Sequence, residues 1–186
     1  MSNTVQFLGD TRVFPNADEI LCSNQFIVEE CLEIPCIKPD IERLIEARIQ
    51  PNIDEYQFLD SPKGKKVYIK GNLEQDIIYI ADTPCQSLHA VHFKSRFHTF
   101  MDLSSCCISN YAALEIHKPK ILLEFMEVSK LCPRSIFKSI ILFVWYPTGL
   151  IIPPRPQPIH IINPTCQVTT KPRRPIKKQR HWDCEE

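Results

Sequence analysis

Nine cysteines and six histidines are the residues of this 186-residue chain with the most chemistry to offer. The cysteines stand at positions 22, 31, 36, 85, 106, 107, 132, 166 and 184, and nowhere form the Cys-x2-Cys pair that opens most structural zinc sites. An odd number leaves at least one thiol free or joined to another chain. Cys31, Cys36, Cys106, Cys107 and Cys132 read as small buried apolar residues. Cys22 in an N-terminal arm, and Cys166 and Cys184 in a polar C-terminal tail, read as disulfide candidates, because flexible segments can reach the roughly 5.5–6 Å Cα separation the bond requires. His89, His92 and His98 share one extended segment, but a separation of three puts His89 and His92 on opposite faces, and His92 and His98 lie about 20 Å apart at strand rise. They read as surface or packing residues. No local signature pairs a cysteine with a histidine for nucleophilic catalysis, and four glycines without a Gly-x-x-x-x-Gly-Lys or Gly-x-Gly-x-x-Gly run leave no phosphate cradle. No catalytic residue, metal or cofactor is expected, and the chain does not read as an enzyme.

The elements that hold these residues are strands. Lys66 to Leu103 is two stretches of alternating polarity joined by a short Asp-Thr-Pro turn. The first puts Val67, Ile69, Gly71, Leu73, Ile77, Tyr79 and Ala81 on one face and Lys70, Asn72, Glu74 and Asp76 on the other. The second puts His89, Val91, Phe93, Phe97 and Thr99 inward, and Ala90, His92, Lys94, Arg96 and His98 outward. The wet face, with Lys70, Glu74, Asp76, Lys94 and Arg96, is the expected binding surface for a protein partner. Before it, Asp40 to Gln50 suits a helix through Ile41, Leu44, Ile45 and Arg48, or a strand through Ile41, Ile45, Ala47 and Ile49. Asn52 to Leu59 continues as strand, and Ser61-Pro62-Lys63-Gly64 supplies a turn. Tyr111 to Val128 reads as one segment bent at Pro119. Arg134 to Trp145 is nearly continuously apolar and reads as a strand buried on both faces. The expected fold is all-β, an antiparallel sandwich or open barrel.

Equal counts of 22 basic and 22 acidic residues conceal a polarity along the chain. From Thr148 onward, Arg155, Lys171, Arg173, Arg174, Lys177, Lys178 and Arg180 oppose only Asp183, Glu185 and Glu186. Seven of the prolines fall between Pro153 and Pro175, which excludes a persistent helix or central strand there. The expected organisation is an N-terminal arm over 1–30, a β domain over 31–147, and a Pro-rich, basic, Cys-containing tail over 148–186 that is largely irregular. The basic run could bind phosphates with Trp182 stacking on a base, which makes nucleic-acid binding the alternative to a protein-contacting tail. The run lacks interleaved aromatics and the rest of the chain is net acidic, so a protein surface is the preferred partner. Met1 to Asn24 has neither the basic start nor the apolar run of a secretory leader. The uncharged stretch from Ser139 to Pro154 is shorter than the roughly 20 residues of a membrane helix, so no membrane span is expected.

Particular residues carry a family resemblance. Ile34-Pro35, then Lys38-Pro39-Asp40-Ile41-Glu42, then Lys66 to Leu73 running on to Ile78-Tyr79-Ile80-Ala81-Asp82, then Phe97 to Asp102, and finally Arg134 before an apolar strand, together resemble a SPOCS domain over roughly Cys31 to Tyr146. That family is typified by SipL-like morphogenetic proteins of clostridial spores. The resemblance implies a noncatalytic scaffolding role in the spore coat or exosporium. It implies assembly in the mother-cell cytoplasm, and contacts with other envelope proteins or with further copies of the chain. Cysteines would then suit links formed once the envelope meets oxidising surroundings. The pattern departs from SipL in that the Pro-rich tail stands where a carbohydrate-binding LysM module is expected.

Overall fold

Strands with one apolar face need a second layer to cover it. The computed structural model describes residues 3–9, 12–104, 106, 108 and 111–148. Within them the strands in chain order are β1 (Thr4–Leu8), β2 (Ile20–Glu33), β3 (Ile41–Ser61), β4 (Gly64–Ala81), β5 (Leu88–Asp102), β6 (Lys120–Cys132) and β7 (Ser135–Pro147). A 3-10 turn at Ala17–Glu19 precedes β2, and a one-turn helix, α1 (Ala112–Glu115), lies between β5 and β6. All pairings are antiparallel: a four-stranded sheet of order β1-β6-β7-β2 and a three-stranded sheet of order β3-β4-β5. The expected all-β fold is borne out as two sheets that do not close into a barrel.

The hairpin of β4 and β5 keeps one register from Lys66↔Asp102 to Ile80↔Leu88 without a shift. Val67, Ile69, Leu73, Ile77, Tyr79 and Ala81 are fully or almost fully buried, as the alternation predicts. Gly71 belongs to this row for a steric reason. A Cβ there would lie 2.2 Å from the Asn52 carbonyl oxygen and 2.3 Å from Phe97 Cζ, so the Phe97 ring occupies the space a side chain would need. The β3–β4 turn uses Gly64 at φ 108°, a left-handed conformation that suits glycine.

The ambiguous segment after Asp40 is strand β3. Register shifts between Ile41 and Arg43 and between Leu44 and Glu46 interrupt the period of two. The buried residues Ile41, Leu44 and Ala47 therefore fall three apart, the spacing that mimics a helix. Three other expectations are corrected. Residues 1–30 are not a free arm, because β1 pairs with β6 and β2 pairs with β7 along its length. The segment Tyr111 to Val128 is not one element: α1 ends before Pro119 and β6 begins after it. Strand β7 is not buried on both faces, since Ile136, Lys138, Ile140, Leu142 and Val144 point inward while the residues between them are half-buried.

The core lies between the sheets in two clusters. One joins Leu73, Ile77 and Tyr79 of β4 and Phe97 of β5 to Met126, Val128, Ile136 and Ile140 of β6 and β7. The other gathers Val67, Ile69, Met101, Leu114, Val144 and Tyr146 toward the opposite end. Among these apolar residues Lys138 is wholly buried, and its Nζ donates to Glu30 Oε2 at 2.7 Å and to Gln75 Oε1 across the sandwich at 2.8 Å.

Residues scattered through the sequence meet at one corner. Arg134 donates through Nη1 to Asp40 Oδ1 (2.5 Å) and the Lys38 carbonyl (3.1 Å), and through Nη2 to the carbonyls of Ile34 (3.0 Å) and Pro35 (2.6 Å). The Tyr79 hydroxyl donates to the Pro39 carbonyl at 3.0 Å, and Asp82 N–H donates to the Asp40 carbonyl at 2.9 Å. This guanidinium holds the crossover from β2 to β3 by its backbone oxygens.

Candidate interaction surface

Even-numbered residues of β4 and β5 form the outward face of the three-stranded sheet. The register places Lys70 beside His98, Asn72 beside Arg96, Glu74 beside Lys94 and Asp76 beside His92. All five residues expected at a partner surface lie on this face. Lys94 Nζ pairs with Glu74 Oε1 at 3.3 Å, Asp76 with His92 Nδ1 at 3.0 Å, and Lys70 with Glu55 Oε2 of β3 at 3.0 Å. Exposed pairs of this kind contribute little to stability, which leaves their charges available to another surface. Arg96 is exposed and makes no ion pair among the described residues. Beside it Asn72 donates to Asp54 Oδ1 at 2.6 Å, while its own buried Oδ1 has no hydrogen-bond partner. A shallow cleft of about 380 Å³, lined by Asp54, Glu55, Lys70, Arg96 and His98 among others, opens here.

Charge is divided across this face by strand. From Ala90 to His98 the outward residues of β5 are alanine, histidine, lysine, arginine and histidine, with no carboxylate. Beside this span the carboxylates are on β3 and β4, and β5 itself ends on Asp102. The histidines are separated as their spacing requires: His92 and His98 lie outward, and the His89 ring stacks on Tyr79 at 5.8 Å.

The thiols are arranged differently from expectation. Cys22 is not a flexible link; it is buried in β2 and bonded to Cys106, with a Cα separation of 5.9 Å, because β2 is held in the sheet. Cys31, Cys36 and Cys132 are exposed rather than buried: Cys31 points outward from β2, Cys36 lies in the crossover loop, and Cys132 lies at the β6–β7 turn. Cys85, in the β4–β5 connection, is also exposed, and hydrogen bonds from Thr83 and then Ser87 favour its thiolate and lower its pKa. The crossover, the β4–β5 connection and the β6–β7 turn all meet at the Arg134 corner, so the four exposed thiols gather at that end of the sandwich. Sequence reading missed this because it depends on strand register. Cys107, Cys166, Cys184 and the basic run Lys171, Arg173, Arg174, Lys177, Lys178 and Arg180 lie outside the described residues.

Among the described residues no group of three or more His, Cys, Asp or Glu side chains is placed to hold a metal ion. Among them, too, no helix is long and apolar enough to cross a membrane.

Residues 40–116 match the family model described as SipL, SPOCS domain. Over this stretch, less than half of the chain, the protein is similar to a SPOCS domain. No curated protein and no solved structure matches the chain. The SPOCS match is shorter than the resemblance read from Cys31 to Tyr146, and it corresponds to the three-stranded sheet with α1. Its motif residues are used in folding: Gly71 admits the Phe97 ring, Tyr79 and Asp40 meet at the Arg134 corner, and Ile41 is buried. The apolar face of the SPOCS segment is covered by strands from outside the match. The SPOCS match suggests a sporulation-related role, and that family is not known for enzymatic activity.

Proposed function

We propose that the chain is a noncatalytic scaffolding protein of the bacterial spore envelope, assembled in the mother-cell cytoplasm and retained in the coat or exosporium. The observation that carries this reading is the SPOCS segment itself. Its motif residues are spent on the fold, and what it offers the solvent is a broad, regularly charged sheet face with one shallow cleft. Such a surface suits contact with another folded protein better than enclosure of a small substrate. The four exposed thiols at the Arg134 corner support a second mode of linkage, intermolecular disulfides formed after the envelope is exposed to oxidant, with Cys166 and Cys184 of the tail as further participants. A fluorescent fusion followed through sporulation tests the reading. A mother-cell shell around the forespore is expected, and a diffuse signal throughout would overturn it.

A further inference from the structure

The two sheets end on one flank in strands of opposite charge. Hydrogen-bond parity identifies which backbone groups face outward there. Leu103 N–H donates to the Lys65 carbonyl and Ala81 N–H to the Ser87 carbonyl, so odd-numbered residues of β5 bond to β4 and even-numbered ones direct N–H and C=O to the margin. By the same parity, Ile34 N–H donating to the Arg134 carbonyl leaves the odd-numbered residues of β2 facing its margin. Among the described residues no strand pairs with either margin.

The other flank is protected. The margin of β3 carries Pro51 and three register shifts, and side chains occupy its backbone. Asn3 accepts from Leu44 N–H and donates to the Glu42 carbonyl, Lys130 donates to the Ile41 carbonyl, and Lys118 donates to the Ile53 carbonyl. These are devices that stop strand addition. β5 has fifteen residues without proline, glycine or register shift, and among the described residues side chains reach its margin at one end, where the Phe100 carbonyl accepts from Asn24 Nδ2 at 2.7 Å.

The margins differ in sign. β5 presents His92, Lys94, Arg96 and His98, whereas β2 presents Gln25, Ile27, Glu29, Cys31 and Glu33, with Ile27 62% exposed. Two β5 strands laid antiparallel would bring cations together, and two β2 strands would bring carboxylates together. A β2 strand beside a β5 strand is complementary.

We propose that two copies of the chain join flank to flank, β2 of each adding to β5 of the other. Within one chain β2 and β5 already lie along the same flank in opposite directions. Asn24 reaches Thr99 Oγ1 at 3.2 Å near one end, and the Lys138 network joins Glu30 to Gln75, which holds Ser95 Oγ at 2.9 Å, further along. A two-fold axis along the flank therefore sets both intermolecular pairs antiparallel at once. Keeping the alignment that brings Glu30 beside Ser95 within one chain, Glu29 of one copy falls opposite Arg96 of the other. Each four-stranded sheet then continues into the partner's three-stranded sheet. This rests on reading the chain as a protein that works through protein contacts, and a solution test distinguishes its failure from failure of the spore-envelope reading.

The test is the mass of the full chain by light scattering after size exclusion, in reductant so that disulfides cannot contribute. A dimer is expected. Arg96→Glu and Glu29→Arg should each weaken it about 10-fold or more, and the double variant should restore most of the loss. Lys94→Pro removes an N–H that β4 does not use, so it should also weaken the dimer while leaving the urea midpoint close to wild type. A monomer at all concentrations, or a dimer indifferent to all these changes, would overturn the proposal. Failure of the double variant to recover while both single variants remain folded would do so as well.

Discussion

Replacing one partner of the buried Lys138 pair should cost more than removing the lysine itself. Lys138 is 0% exposed and its ammonium has two acceptors, Glu30 Oε2 at 2.7 Å and Gln75 Oε1 at 2.8 Å. Glu30→Gln takes away the countercharge that the described residues supply and leaves a buried cation, a change that costs about 3–5 kcal/mol when the pair is fully enclosed. The Glu30 side chain is 30% exposed and Gln75 remains, so water and the amide recover part of this, and about 2–3 kcal/mol is expected. Lys138→Met fills the same space without a charge and should fall within about 1 kcal/mol of wild type in either direction. The pH dependence separates the two groups. Burial raises the Glu30 pKa, but hydrogen bonds from Lys138 and Ser95 together with the Lys138 charge outweigh it, so the carboxyl titrates below 4.5 in the folded chain. Its contribution is complete above that value and is lost as pH falls through the lower folded value. Burial outweighs the Glu30 pair at Lys138, whose pKa is lowered from 10.5. Stability should therefore rise as pH increases through the folded value toward 10.5, and Lys138→Met should abolish that rise. Urea unfolding followed by the fluorescence of Trp145, buried in β7, reads both effects, and at about 2 kcal/mol per molar the Glu30→Gln midpoint should drop by about 1–1.5 M. Equal losses for Glu30→Gln and Lys138→Met would refute the reasoning, because the lysine would then contribute by packing rather than by needing a partner.

Three further outcomes follow from the packing. Gly71→Ala should destabilise by about 3 kcal/mol in the same urea assay, since the new Cβ meets a backbone oxygen that cannot move aside, and Phe97→Leu should relieve only the ring's share of the clash. Reducing Cys22–Cys106, or substituting Cys106→Ser, should lower stability by up to about 4–5 kcal/mol through the loop that the bond closes across a separation of 84 residues, and no change would show that the bond does not form in solution. Residues 40–116 expressed alone should show no cooperative urea transition, because Val67, Ile69, Leu73, Ile77 and Tyr79 would lose the sheet that covers them; a sharp transition would mean that the SPOCS segment folds independently.

The hairpin was legible because β4 and β5 keep a period of two for their whole length, and the outward charges followed from that alternation. β3 was not, because its register shifts set buried residues at helical spacing. β2 was taken for an arm because its inward row, Cys22, Asn24, Phe26, Val28, Glu30 and Leu32, mixes polar and apolar residues. Asn24 is there to cap β5, and Glu30 is there to hold Lys138. Cys22 was misplaced with it. The Arg134 corner was readable only as a list of motif residues, since nothing local to Arg134 reveals carbonyls about 100 positions away. The division of charge between β2 and β5 required the hydrogen-bond parity of both sheets.

The most direct measurement of the central claim, that the folded sheet face recruits this protein to the spore envelope, is the ratio of forespore-shell to cytoplasmic fluorescence for two fusions in sporulating cells. One carries the native sequence and the other Lys94→Glu with Arg96→Glu, two exposed changes on β5 that leave the core untouched. A bright shell for the native chain and a diffuse signal for a variant of unchanged urea midpoint is the expected result. A shell of equal intensity for both, or none for the native chain, would contradict it.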